Sequence, residues 1–161
     1  MLDGGRMNQA YSKSNAGDVL PLVSQLGSDH PLWVTQRGLR QLAGMVHELQ
    51  RAREQALLAD DAASVAHITE DLRHWQRRLK AARLVEPSDA LRVRFGVAVT
   101  LRFDNGVQRC YTLVGEDEAD PASGLISWIS TVAQALLGHE VGETVALPGG
   151  AAHIVAVQLP D

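Results

Sequence analysis

With 161 residues, 45% of them hydrophobic, the chain is long enough for one ordinary domain, or a small domain plus an appendage, and apolar enough to bury a core. A net charge of −4 and a pI near 5.8 argue against whole-protein attraction to nucleic acid, and an aromatic content of 4% argues against a deep aromatic pocket. One cysteine excludes an internal disulfide and a cysteine-built zinc site, and no apolar run reaches the roughly 18 residues of a membrane span. With no signal-peptide core at the start either, a cytoplasmic protein with no membrane partner is the expectation.

Residues 1–30 are rich in Gly, Ser, Asn and Asp and read as a flexible leader, with one apolar patch over 19–23 that could dock as a short helical turn. Residues 31–86 read as an antiparallel helical coiled coil. Thr35 is a good N-cap for a first arm from Gln36 to Leu58, about 23 residues or roughly 35 Å at 1.5 Å per residue. Along it Leu39, Leu42, Val46, Leu49, Arg53 and Ala56 are spaced three and four apart, and Val65, Ile68, Leu72, Trp75, Leu79 and Ala82 repeat that spacing on the second arm. The seam is apolar except at Arg53. Asp60 or Asp61 caps the second arm, which ends near Arg83. Arg73, Arg77, Arg78 and Lys80 on its later half read as a solvated face complementing the negative helix end; the alternative is an anion-facing stripe.

After the break at Glu86-Pro87, residues 87–161 change to period-two patterning. Val97, Val99, Leu101 and Phe103 alternate along a strand, and Asn105-Gly106 reads as a two-residue hairpin turn. That register sets Leu101 opposite Cys110 and Arg102 opposite Arg109, so Cys110 is expected in the core, and the arginines are expected to find acids in the 116–120 run. Leu125 to Ile129 forms a further strand. Ser130 caps a helix that Gly138 closes, and two strands flank Pro148-Gly149-Gly150. The class is α+β: a helical hairpin, then an antiparallel sheet with one helix laid on it.

Taken together, YTLVGEDEAD over 111–120, GLIS over 124–127, STVAQALLG over 130–138 and EVGET over 140–144 resemble the GreA/GreB family of bacterial transcription factors; PLWVT over 31–35, Gly38-Leu39 and PGG over 148–150 add to the likeness. The resemblance implies an FKBP-like second domain that binds bacterial RNA polymerase at the rim of its secondary channel, while the coiled coil points toward the polymerase centre. It carries partner-binding roles over to Glu116, Asp117, Asp120, Ser130, Ala133, Gln134 and Leu136. The family's cleavage factors hold a second magnesium ion with an acidic Asp-x-x-Glu-Asn tip. Here the tip is LLADDAAS over 57–64, with two adjacent acids and no Glu-Asn. Each arm is short by about ten residues, roughly 15 Å, whereas metal ligation needs oxygens at about 2.0–2.6 Å. Thr131 stands where the family usually has proline, and Gln134 where it has a basic residue.

The resulting expectation is a polymerase-binding regulator, not itself an enzyme, that does not stimulate cleavage. It would have no cofactor and no small-molecule substrate, and would meet nucleic acid only within the polymerase complex. The alternatives are a cleavage factor that uses Asp60 and Asp61 to hold Mg2+ at the polymerase centre, and a short-armed regulator of the nucleoside diphosphate kinase type. A prolyl isomerase is the least favoured, since only Phe95, Phe103, Tyr111 and Trp128 could line its cavity.

Overall fold

A computed structural model describes residues 30–161, which form two compact units: Pro31–Val85, and Glu86–Asp161 together with His30. The leader expected over 1–30, His30 apart, lies outside the described residues.

The first unit is a helical hairpin. Strand β1 (Trp33–Val34) leads into helix α1 (Gln36–Leu58), helix α2 (Ala62–Ala81) returns, and strand β2 (Arg83–Leu84) follows. β1 and β2 pair in parallel, Trp33 with Arg83 and Val34 with Leu84, so the chain enters and leaves the hairpin side by side. α1 begins where the Thr35 hydroxyl accepts the Gly38 N–H at 3.1 Å, the bond expected of a threonine N-cap. Its bounds are those read from the sequence.

The seam forms as its spacing dictates: Leu42, Val46, Ala56 and Leu72 are buried, and the other seam positions are half-buried. Burying a leucine fully contributes about 1.5–3 kcal/mol, so a narrow stripe suffices to hold two helices of 23 and 20 residues together. The polar interruption is satisfied across the interface. Arg53 Nε donates to Thr69 Oγ1 at 3.1 Å, and that hydroxyl donates to the Val65 carbonyl at 2.6 Å. A seam arginine is tolerated because its partner is supplied by the facing helix.

The second unit is a five-stranded sheet with one short helix. Strands β3 (Ala98–Phe103), β4 (Gln108–Val114), β5 (Leu125–Ser127), β6 (Thr144–Leu147) and β7 (Gly150–Gln158) stand in the order β5-β4-β3-β7-β6. Helix α3 (Thr131–Leu136) is capped by Ser130, whose hydroxyl accepts the Ala133 N–H at 3.3 Å; Gly138 takes a φ of 88° just past its end. Val97, Val99, Leu101, Leu113, Leu136 and Ile154 make the centre of the core.

Two features depart from the sequence reading. Three of the four strand pairings are antiparallel, but β5 lies parallel to β4, Thr112 beside Leu125 and Val114 beside Ser127. The return is made by two 3-10 turns, Glu116–Glu118 and Pro121–Ser123, and by Gly124, whose φ of 79° brings its carbonyl to the Thr112 N–H at 2.8 Å.

The second departure is the β3–β4 register. Gly106 N–H donates to the Phe103 carbonyl, Phe103 N–H donates to the Val107 carbonyl, and only Gly106 in the turn has a positive φ. This is a three-residue loop, Asp104-Asn105-Gly106, ending on a left-handed glycine, where a two-residue turn was expected. Thr100 therefore faces Cys110, Leu101 faces Arg109 and Arg102 faces Gln108. A slip of one residue moves every side chain to the other face of the sheet. Cys110 is accordingly exposed and outside the core, and the opposed arginine pair does not exist.

Candidate functional site

At the hairpin tip, the last turn of α1 is closed by bonds from the Ala59 N–H to the Gln55 carbonyl and from the Asp61 N–H to the Ala56 carbonyl. Asp60 takes a φ of 55°, the left-handed conformation that aspartate tolerates better than most residues. Of the two candidate caps, Asp61 is the one that acts. Its Oδ1 accepts the Ser64 N–H at 3.1 Å and its Oδ2 accepts the Ser64 hydroxyl at 2.6 Å. The Ser64 hydroxyl, and after it the Ser64 backbone N–H, hold the Asp61 carboxyl below the usual aspartate range. Asp60 is exposed; its backbone N–H donates to the Leu57 carbonyl at 3.1 Å, and its carboxylate has no hydrogen-bond or ion-pair partner among the described residues. Beside the acids, Leu57 and Leu58 are 52% and 77% exposed.

On α2, Arg73 pairs with Glu70 at 3.1 Å, one turn away, as a solvated face would have it. Arg77 and Lys80 are exposed, while Arg78 is half-buried.

In the sheet unit, the positions singled out by resemblance divide by burial. Ala133 and Leu136 are fully buried under the sheet, and Ser130 is 7% exposed with its hydroxyl spent on the helix cap. These three build the unit from beneath its surface. Asp117, Asp120 and Gln134 are exposed, and Glu116 is half-exposed. Glu118 in the same run is turned inward and accepts the Gly115 N–H at 3.2 Å. Asp120 is held in place twice over. Its backbone exchanges both hydrogen bonds with Leu125, and its carboxylate accepts the Ser123 hydroxyl at 2.7 Å.

The structure adds His30, which the sequence reading did not single out, and Trp128, named there only as a possible cavity wall. His30 Nε2 lies 3.4 Å from the Glu116 carboxylate, and its ring stands edge-on to Trp128 at a centroid distance of 5.9 Å. Gln134 Nε2 donates to the Trp128 carbonyl at 2.8 Å. Glu116, His30, Trp128 and Gln134 thus form one connected chain of contacts, in which Gln134 is exposed and the other three are half-buried. Glu116 and Gln134 were named separately, but no local pattern couples His30 to a residue so far along the chain; only folding does so.

Comparison with known proteins agrees with this geometry. A family model described as transcription elongation factor GreA/GreB, C-term, matches residues 88–158, the sheet unit almost entire. The transcription elongation factor GreA of Thermomicrobium roseum is 39% identical over 123 residues, covering 68% of this chain and 78% of its own. The transcription elongation factor GreB of Pseudomonas aeruginosa is 32% identical over 132 residues, covering 70% of this chain and 79% of its own. Among solved structures, the GreA factor homolog 1 (Gfh1) of Thermus thermophilus is similar over 80% of this chain and 99% of its own, at 19% identity and a TM-score of 0.40. Identity on this scale, over about two thirds of the chain and more than two thirds of each relative, establishes that the chain belongs to the GreA/GreB family of transcription elongation factors.

Proposed function

We propose that this protein binds bacterial RNA polymerase through polar side chains at the surface of its sheet unit, directs its hairpin into the secondary channel, and modulates transcription without stimulating transcript cleavage. The observation that carries the second half is the tip. Asp61 is committed to capping α2 through both carboxylate oxygens, which leaves Asp60 as the one acid there whose oxygens are not already engaged. One exposed carboxylate on a left-handed turn is a minimal ligand set for a magnesium ion, which is bound through one or two carboxylates with water and other oxygens completing its six positions. Helices of 23 and 20 residues also fall short of the arm length that the family's cleavage factors imply. Polymerase binding is supported by membership of the family and by three exposed polar side chains, Asp117, Asp120 and Gln134, beside the half-exposed Glu116.

The test has two parts. Core RNA polymerase should retain the full chain in a pull-down, and Glu116→Ala combined with Asp117→Ala and Asp120→Ala should release it. A stalled elongation complex given the protein should keep its transcript length. Failure of the pull-down would end the binding proposal. The second reading is favoured by the exposure of Asp60: if transcripts shorten, and shortening is lost in Asp60→Ala, the tip supports cleavage after all and the first reading is wrong in that respect.

A further inference from the structure

The hairpin is electrically divided along its length. Its base, residues 31–47 and 72–85, carries Arg37 and Arg40 on α1 and the five cations from Arg73 to Arg83 on the return arm, with no Asp or Glu. Its outer half, residues 48–71, carries Glu48, Glu54, Asp60, Asp61, Glu70 and Asp71 against Arg51 and Arg53 alone. The ion pair between Glu70 and Arg73 marks the boundary. Exposed apolar side chains sit at both ends: Leu57 and Leu58 at the tip, and Leu84, 42% exposed, at the base.

A rod with one acidic and one basic half is its own electrostatic complement. From this we infer that the hairpin is a self-association surface whose partner is a second copy of the chain. A two-fold axis across the rod lays each acidic half on the other copy's basic half, so the same complementary contact is made twice. The same placement brings Leu57 and Leu58 of each copy toward the Leu84 end of the other. A nucleic acid would satisfy only the base, would be repelled by the outer half, and would leave both leucines uncovered; a second copy answers all three. This surface shares no residue with the polymerase-facing part of the sheet unit, but it lies on the same hairpin that the proposed function sends into the channel, so self-association and insertion exclude each other.

Pairing of this kind is strong at low ionic strength and screened at high, because the Debye length shrinks from about 10 Å at 0.1 M salt to about 3 Å at 1 M. Light scattering and sedimentation of the full chain should give twice the monomer mass at about 20 mM salt and the monomer mass at about 500 mM. Two charge-reversed chains sharpen the test. One carries Arg77→Glu, Lys80→Glu and Arg83→Glu; the other carries Glu48→Lys, Glu54→Lys and Asp60→Lys. Each alone should remain monomeric at low salt. Mixed in equal amounts they should pair, since each then offers the charge the other has lost, and the helical circular dichroism of each chain alone checks that both are folded. A single mass at every salt concentration would overturn the inference. So would a mixture that stays monomeric, or a single-stranded RNA oligonucleotide that binds the low-salt protein at a monomer's mass.

Discussion

One chemical change, glycine to alanine, is predicted to have opposite signs at two positions. At Gly124 the φ is 79°, and a Cβ built there lies 2.7 Å from the Cys110 carbonyl oxygen. The left-handed conformation costs an L-residue roughly 1–2 kcal/mol. The overlap is with backbone, so β4 itself must yield, and forced repacking costs roughly another 1–3 kcal/mol. Since Thr112 N–H is bonded to the Gly124 carbonyl, moving the loop also threatens the parallel β4–β5 pairing. Gly124→Ala should therefore lose roughly 2–5 kcal/mol from the sheet unit, lowering its melting temperature by at least about 8 °C at 4–8 °C per kcal/mol. At Gly44, within α1, a Cβ meets nothing within 4 Å, and alanine is the better helix former by about 1 kcal/mol. Gly44→Ala should raise the melting temperature of the hairpin. The two units can be followed separately, the hairpin by helical circular dichroism and the sheet unit by the near-ultraviolet signal of Trp128 in a chain carrying Trp33→Phe and Trp75→Phe. If Gly124→Ala melts with the parent protein, the positive φ and the contact with β4 are wrong, and the argument for the parallel edge strand goes with them.

Three further outcomes follow from the geometry. Cys110, being exposed, should react with a thiol reagent in the folded protein about as fast as in a denatured sample; strong protection would restore the slipped register and return the cysteine to the core. Arg53→Leu should raise the hairpin's melting temperature, because an unbroken apolar seam offsets loss of the single bond to Thr69, and a lower value would mean that this bond contributes more than the seam. The Asp61 carboxyl has a folded pKa below its ordinary 3.8, so its contribution to helix stability is present above that value and lost as pH falls through the lower, folded one. Asp61→Ser keeps a capping oxygen and removes the charge. Hairpin helicity should then be retained at neutral pH and lose its acid-dependent step, and a step that persists would have to come from another carboxyl.

The hairpin was legible because its signals are local. Thr35 and the Asp60-Asp61 pair bracket α1 and start α2, and the three-four spacing of leucines leaves one helical face to bury. The same holds for α3, where Ser130 and Gly138 mark both ends within a few residues. The β3–β4 turn was not legible in this way. Asn105-Gly106 suits a two-residue turn, but Asp104-Asn105-Gly106 suits a three-residue loop as well, and the strands on either side tolerate both registers. Nothing in Leu125-Ile126-Ser127 says which way the strand runs, since direction is set by the turns that precede it. The candidate site split for a related reason. A motif that identifies the family includes Ser130, Ala133 and Leu136, which build the fold, alongside Gln134, which reaches the surface, and the string of letters does not separate them.

The two-residue pairing of β1 with β2 has an architectural consequence. Because entry and exit are clasped together at Trp33–Arg83 and Val34–Leu84, the hairpin behaves as an insert with a closed neck. Seven residues added to each arm would advance the tip by roughly 10 Å, at 1.5 Å per residue, while keeping the seam in phase and leaving the neck untouched. Residues added to one arm alone would throw the seam out of phase. Reach in such a protein is thus an adjustable quantity, changed in paired steps, and a graft of longer arms onto this neck would measure how function depends on it.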